Sequence, residues 1–429
     1  MLDAYLYGGL RSPIGRHAGK LAPVRPDDLV ATVMRELLAR SAFEAADVED
    51  VILGCAAQAG EDSRNVARHA ALLAGLPTEV AGQTVNRLCG SGLAAVIDSA
   101  RAVSCGEGEL YVAGGVESMS RAPFVVAKAE SAWSRDFKVF DTTIGARFPN
   151  PRIVEQFGND SMPETGDNIA AEFGIDREAA DRFAAASQAR YAAAKADGFY
   201  ADEILPIEVP TGRRTPPILV ADDEHPRPES SFESLSGLKP LFAGGVVTAG
   251  NASGINDGAA ALLVGSAAAG ERAGAKPMAR ILAGAVAGVE PRIMGVGPAY
   301  AIPKALARAG LTLADMDVIE INEAFAPQVL GCLRREQLVC PHAVDGQLQQ
   351  VLDLPAGFGL ALGIRRPSHG RDDLAIRHGI ELLAVEVGLA DHLLRQVADR
   401  QAHPVVEETL QRTDGSSAAL HDQVAGAAN

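Results

Sequence analysis

The amino-acid sequence predicts an α/β protein, and three observations carry that prediction. Apolar residues make up 47% of the 429-residue chain while aromatics reach only 5% and glycines number 44, a balance that fits packing through Ala, Val, Leu and Gly rather than large rings. Short β-branched runs alternate with Ala-rich stretches whose apolar residues fall at helical spacing. One cysteine stands where a strand pattern gives way to a helix pattern, in Asn86-Arg87-Leu88-Cys89-Gly90-Ser91-Gly92-Leu93.

The elements follow in order. Residues 3–7 read as a strand, residues 27–40 as a helix opened by Asp27 and Asp28, which suit its positive end, and residues 50–55 as a strand. A helix ends near Leu73. Gln83-Thr84-Val85-Asn86 then has strand character, and Ala94 to Val103 is helical, which puts Cys89 at the turn between them. Glycines at 90 and 92 allow close backbone packing there. A helix start supplies unpaired N–H groups and a positive dipole end, which favour a thiolate. The alternative for Cys89 is a small buried hydrophobe.

Residues 109–116 read as a buried strand ending in glycines, with Gly114 to Ser120 either a site wall at a strand end or a tight turn. The character changes over residues 121–242, which carry Trp133, several prolines and a polar run, and read as an inserted lobe. Within it, residues 177–196 form an amphipathic helix and residues 161–168 a loop leading into another. The sheet pattern resumes over residues 245–265. Its turn, Asn251-Ala252-Ser253-Gly254-Ile255-Asn256-Asp257-Gly258, is small enough to admit a bulky ligand or to serve as a crowded packing corner. A helix over residues 299–310 leads to Val318-Ile319-Glu320-Ile321-Asn322-Glu323-Ala324-Phe325-Ala326. The order helix, acidic turn, Val-Ile strand also occurs before Cys55, which points to two related halves.

Composition excludes several classes. A formal charge of -16 argues against a general nucleic-acid binder. Five cysteines without CxxC spacing fit neither a disulfide framework nor a zinc site, so no metal is expected. The first residues lack the pattern of a signal peptide, and the longest apolar runs, such as residues 258–270, are too short to span a bilayer. A cytoplasmic protein with no membrane partner is expected.

Taken together, Asn86-Arg87-Leu88-Cys89-Gly90-Ser91-Gly92, Gly114-Gly115-Val116-Glu117-Ser118-Met119-Ser120, the Asn251 to Gly258 turn and Asn322-Glu323-Ala324-Phe325-Ala326 resemble the thiolase family in order and separation. The resemblance runs from about Asp3 to about Arg335. The stretches Asp141-Thr142-Thr143-Ile144-Gly145, Ser161-Met162-Pro163-Glu164-Thr165 and Asp223-Glu224-His225-Pro226-Arg227-Pro228 are similar to the 3-oxoadipyl-CoA thiolases of aromatic catabolism. The resemblance implies a thiolase fold, two duplicated βαβαβαββ halves in α-β-α-β-α layers with a loop domain inserted to bind CoA. The implied division is 1–121 plus 245–270 for the first half, 122–244 for the inserted domain, 271–338 for the start of the second half and 339–429 for a tail.

It also implies a ping-pong acyl transfer in which coenzyme A is a substrate and no cofactor is permanently bound. Cys89 would be the nucleophile, and Asn322 would hold a water that helps stabilise an oxyanion. Ser253 and Met162 would line the CoA pantetheine. The partners implied are CoA and acyl-CoA, in a homodimer or homotetramer. Turn capping by Asn322 and structural roles for Ser253 and Met162 are the alternatives.

The resemblance stops after about Leu338. Family members continue with an Asn-Gly-Gly turn, a Gly-His-Pro motif whose His activates the nucleophile and a late Cys-x-Gly motif supplying a second acid/base. None is present. Residues 339–429 instead hold six of the nine histidines and no lysine. Cys340 precedes His369, the reverse of the family order, so neither takes over the missing roles. The loss of motifs points to a shifted reading frame or a replaced end, leaving the second half incomplete or replaced. Helical periodicity over residues 380–397 is compatible with packing. Three readings follow: an acyltransferase, a non-catalytic CoA- or acyl-CoA-binding relative, and a fragment that assembles only with intact subunits.

Overall fold

The computed structural model describes residues 1–316 and 318–336, together with the backbone of two later strands, 361–365 and 380–385. Cys340, His369 and the remaining tail histidines lie outside the described residues, as does most of the tail.

Nine strands form the main sheet: β1 (Ala4–Arg11), β2 (Asp50–Gly54), β3 (Ala81–Val85), β4 (Leu110–Ser118), β5 (Asn256–Gly265), β6 (Ala279–Gly284), β7 (Val318–Glu320), β8 (Ala361–Arg365) and β9 (Ile380–Val385). Their spatial order is β7-β8-β9-β6-β1-β5-β4-β2-β3, and a two-residue strand, Gly15–Arg16, adds to β5. β2 lies parallel to β3 and β4, whereas β5 runs antiparallel to β1 and β4. The strands of the two halves join where β1 pairs antiparallel with β6, Tyr5 opposite Arg280. The strands of both halves are therefore hydrogen-bonded into one continuous sheet.

The helices settle the layers. α1 (Pro26–Arg40) and α2 (Val66–Ala74) share one core with the outer face of the first-half strands, through Leu29, Val33, Met34, Val66 and Ala70 against Val51, Leu53 and Leu263. α3 (Ser91–Cys105) packs on β4, β2 and β5 and also touches β6 and β9, so it lies between the two halves. Its Leu93, Val96, Ile97 and Ala100 meet Ile52, Ala113, Leu262 and Ile281 in a second core. Beyond β6 come α4 (Met162–Phe173), α5 (Arg177–Ala196), α6 (Gly297–Ala309) and α7 (Ala326–Glu336), closing a third core around Ile169, Ile302, Leu306 and Val329. The order of layers is α-β-α-β-α.

Local sequence explains several boundaries. Pro26 opens α1, with Asp27 and Asp28 in its first turn and Arg40 in its last, as the helix dipole favours. Asn65 caps α2 through its side chain, and Asp176 caps α5 by accepting from the Ala179 amide. The internal repeat is visible in space. α1 and β2 are joined by a 3-10 turn, Ala45–Asp47, in which Asp47 accepts from the Glu44 amide at 2.8 Å. α6 and β7 are joined by Leu313–Asp315, where Asp315 accepts from the Thr312 amide at 2.8 Å.

Three readings of the sequence change. Gly114 and Gly115 do not end a strand but lie inside β4, because β5 comes so close that a Cβ on Gly114 would sit 2.1 Å from the Ala260 carbonyl oxygen. Met162 is not in a loop. It is the first residue of α4, whose Glu164 accepts from the Ser161 amide at 2.6 Å in the manner of a capping box. Residues 380–385, read as helical, form β9, where the apolar run Ile380-Glu381-Leu382-Leu383-Ala384-Val385 extends the sheet in parallel beside β6. Among the described residues no helix is long and apolar enough to cross a membrane.

Candidate active site

Cys89 is exposed, at the hinge between β3 and α3, and so is not the buried hydrophobe that a cysteine commonly is. The hinge is a knot of short hydrogen bonds. The Leu88 amide donates to Asn86 Oδ1 at 2.9 Å, the Arg87 amide donates to Ser91 Oγ at 2.8 Å, and Ser91 Oγ–H donates to the Leu88 carbonyl at 2.6 Å. These bonds hold Leu88 at φ 51°, a left-handed conformation that a branched side chain adopts only when its surroundings fix it. Gly90 is the N-cap of α3, so the nucleophile candidate precedes the positive end of a 15-residue helix.

Gly54, the last residue of β2, lets this helix start come down onto the sheet. A Cβ there would lie 2.3 Å from the Ser91 carbonyl carbon and 2.4 Å from the Gly92 nitrogen. The glycine that permits the hinge is therefore on the strand beneath it, while Gly90 itself keeps an ordinary φ of -87°.

Two further motif loops converge on the hinge. The Ser253 amide donates to the Ala324 carbonyl and the Ala326 amide to the Asn251 carbonyl, both at 2.9 Å, with an antiparallel bridge between Ala252 and Phe325. The turn before Ser253 is held from α4 and α5: Asp167 accepts from the Val246 and Val247 amides at 2.6 and 2.8 Å, and Asn251 Nδ2 donates to Asp181 at 2.9 Å. His225 lies against Gly254, where a Cβ would come within 2.2 Å of the ring. Burial, helped by Arg227, pushes the His225 pKa down, so the ring stays neutral at ordinary pH.

All four residues singled out from sequence, Cys89, Asn322, Ser253 and Met162, line one cavity of about 550 Å³. Glycines and small apolar residues from β4, β5 and the α3 start form its floor. The segment Thr142 to Arg147 forms a wall.

Glu117 and Arg147 also line the cavity; Glu117 falls within the Gly114 to Ser120 motif, which assigns it no role, and no motif contains Arg147. Glu117 accepts from the Ala56 and Ala57 amides at 2.8 and 3.0 Å, yet burial prevails over those bonds and pushes its pKa up. Arg147 immediately follows Gly145-Ala146, two residues beyond a stretch that the sequence resemblance had already picked out.

One buried group of metal-ligating type occurs among the described residues: Cys55, Asp62 and Glu117 have ligand atoms within 4.8 Å of one another. The Cys55 thiol faces Asp62 Oδ2 at 3.6 Å, and burial with Glu117 and Asp62 nearby pushes its pKa up. Asp62 Oδ1 takes the Gly60 amide at 2.9 Å and both Glu117 oxygens take amides, so the group pins the loop after β2.

Glu320 stands two residues before Asn322, 7% exposed, with one carboxylate oxygen that finds no hydrogen-bond partner among the described residues. Burial, reinforced by Glu323, raises its pKa well above the ordinary carboxylate value. A raised folded-state pKa stabilises the fold at low pH, and the benefit is lost as pH rises through that value. Glu320→Gln is therefore expected to unfold like the wild type in acid and to be more stable by at least ~1 kcal/mol near neutrality. Thermal melts from about pH 4 to pH 8 check this: a difference that does not widen with pH would show that Glu320 is not the titrating group.

A continuous sheet with a helix between its halves and a cavity lined by an exposed hinge cysteine suit nucleophilic acyl transfer, and the relatives of the chain place it among the CoA-using acyltransferases. The chain belongs to the thiolase family: residues 5–268 match the model of the thiolase N-terminal domain and residues 275–343 that of the thiolase C-terminal domain. It is 52% identical over 395 residues to the 3-oxoadipyl-CoA/3-oxo-5,6-dehydrosuberyl-CoA thiolase of Escherichia coli K12, covering 90% of this chain and 98% of that one. It is 54% identical over 336 residues to a beta-ketoadipyl-CoA thiolase of Acinetobacter baylyi, covering 78% and 84%. Among solved structures, the acetyl-CoA acetyltransferase of Bacillus anthracis superposes with a TM-score of 0.75 at 37% identity, over 84% of this chain and 88% of that one. The human mitochondrial 3-ketoacyl-CoA thiolase in complex with CoA gives 0.73 at 34%, over 83% and 86%.

Proposed function

We propose that this chain catalyses thiolytic cleavage of a 3-oxoacyl-CoA, with 3-oxoadipyl-CoA as its substrate, through an acyl-Cys89 intermediate. The observation that carries the reading is the exposed Cys89 at the head of a cavity that Asn322, Ser253 and Met162 also line. The names of relatives at 52% and 54% identity support the substrate. In the first half-reaction the Cys89 thiolate attacks the 3-keto carbon and the C2–C3 bond breaks. The departing acetyl-CoA enolate takes a proton, leaving the acyl group on sulfur. In the second, a CoA thiol gives up its proton and attacks the thioester, releasing the shortened acyl-CoA, here succinyl-CoA, and restoring Cys89. Asn322 would hold a water against the oxyanion, and Ser253 and Met162 would contact the pantetheine arm. No general base for Cys89 is assigned among the described residues.

The test is incubation with acetyl-CoA followed by intact-mass measurement. One acetyl group is expected on the wild type and none on Cys89→Ala. CoA binding without any adduct would overturn the catalytic reading and leave a non-catalytic acyl-CoA-binding relative in its place.

We also read residues 122–244 as the lobe that completes the CoA site, and the assembled protein as a homodimer or homotetramer. Two surfaces support association: among the described residues β3 is a sheet edge paired on one side only, and the hairpin of Phe124–Val126 and Val139–Asp141 exposes Phe124, Val126 and Val139 beside Trp133 and Phe137. Light scattering is expected to give two or four times the chain mass. A monomer at micromolar concentration would contradict it.

A further inference from the structure

Three charged side chains line the cavity: Arg11, Arg147 and Glu117. Two are fully engaged with the protein. Arg11 forms buried ion pairs with Glu203 and Asp223, each at 2.7 Å, and both Glu117 oxygens hold backbone amides. Arg147 differs. Its guanidinium donates to two backbone carbonyls, those of Ala57 and Thr142, and although its charge acts on the nearby Glu117 carboxylate, among the described residues no carboxylate lies within ion-pair distance of it. A guanidinium has five N–H groups in a planar fork, so these two bonds leave three N–H groups for a ligand in the cavity that Arg147 lines.

Its position relative to Cys89 follows from its partners. Asn86 Nδ2, in the hinge, donates to the Ala56 carbonyl at 3.0 Å, while Arg147 donates to the carbonyl of the next residue, Ala57. Consecutive Cα atoms are about 3.8 Å apart, so the hinge and Arg147 hold neighbouring residues of one segment of the wall, in the same cavity that an acyl chain attached to Cys89 would enter. The wall that carries it is fixed, with Thr142 Oγ1 donating to the Pro123 carbonyl at 2.6 Å and the Thr143 amide donating to Asp141 at 2.8 Å.

We propose that Arg147 pairs with a carboxylate at the far end of the acyl chain and so selects dicarboxylic 3-oxoacyl-CoA substrates over chains ending in a methyl group. This rests on the acyl-transfer reading above and adds the group that reads the substrate. A charge-assisted, two-point pair inside a largely apolar cavity favours the acidic chain, and a methyl-ended chain leaves the same N–H groups without a partner.

The experiment measures binding of succinyl-CoA, butyryl-CoA and free CoA to the full chain by calorimetry, alongside adduct formation on Cys89. Wild type is expected to bind succinyl-CoA about tenfold or more tightly than butyryl-CoA. Arg147→Gln should weaken succinyl-CoA about tenfold more than butyryl-CoA, and Arg147→Glu should reverse the preference. Arg147→Lys should restore part of it, which separates charge recognition from damage to the wall. Equal affinities in the wild type overturn the proposal, as does absence of binding. So does an Arg147→Gln variant that weakens all three ligands alike, the mark of a contact to the CoA phosphates. A retained preference for succinyl-CoA with no adduct on Cys89 supports Arg147 while defeating the catalytic reading.

Discussion

Replacing Arg11 with methionine is expected to destabilise the folded chain by about 3–5 kcal/mol, because it leaves buried carboxylates without their cation. Arg11 ends β1 and is 1% exposed. Its Nε donates to Glu203 at 2.7 Å and its two terminal nitrogens grip both oxygens of Asp223 at 2.7 and 3.0 Å. Burial works against the Arg11 charge, but Asp223 and Glu203 outweigh it and its pKa rises. Asp223 also accepts from the Ile14 amide at 2.7 Å and from the Tyr191 hydroxyl at 3.3 Å. This network ties residues 203 and 223 to the first strand, and His225, which packs on Gly254 beside Ser253, follows two residues after Asp223. Loss of Arg11 is therefore expected to weaken CoA binding as well as to lower the melting temperature. Arg11→Lys keeps a charge but not the fork and should fall between the two. Denaturant unfolding with CoA titration checks both effects. A methionine variant within 1 kcal/mol of the wild type would mean that the network contributes nothing net, as some buried ion pairs do.

The network also marks where the sequence becomes unreadable. Arg11 is 192 residues from Glu203 and 212 from Asp223, and nothing in a turn-rich Arg-Ser-Pro-Ile-Gly-Arg stretch announces partners so distant. Local signals fared better. α5 occupies residues 177–196 as its amphipathic pattern indicates, and the β-branched run before Cys89 and the Ala-rich run after it do form β3 and α3. What local pattern could not give was cross-strand distance. Gly114 and Gly115 look like punctuation in one dimension, but in three they are the places where β5 and β2 press against β4. Residues 380–385 are apolar enough for either helix or strand, and the open flank of β6 decides for strand. At the site, Cys89, Asn322, Ser253 and Met162 were legible as motifs. Arg147 was not, and Glu117 was legible only as part of the Gly114 to Ser120 motif, because their bonds to Ala56 and Ala57 reach 60 to 90 residues along the chain.

Gly54→Ala is expected to cost about 1–3 kcal/mol or more and to slow acylation of Cys89 by about tenfold to a hundredfold. The added methyl would meet the Ser91 carbonyl carbon at 2.3 Å and its oxygen at 2.5 Å, distances that only backbone movement can relieve. Two elements could move. β2 is held between β3 and β4 in parallel registers on both sides, with Gly54 opposite Val85 and Gly115. The α3 start is anchored by hinge bonds of Asn86, Arg87, Leu88 and Ser91, together with the contact of its apolar face, rather than by a strand on each side. The helix start is therefore the part that yields, taking Leu88 and Cys89 with it. A displacement of about 1 Å at a reacting atom suffices to cost two orders of magnitude in rate. Gly288→Ala is the matched control, since a Cβ there meets nothing within 4 Å, and it should stay within about 0.5 kcal/mol of the wild type. Stopped incubation with acetyl-CoA and mass measurement gives the acylation rate, and chemical denaturation gives the stability. If Gly54→Ala lost stability but acylated at the wild-type rate, the close approach would be a packing feature alone, and the geometry of Cys89 would depend on the Asn86, Leu88 and Ser91 hydrogen bonds without help from the strand beneath.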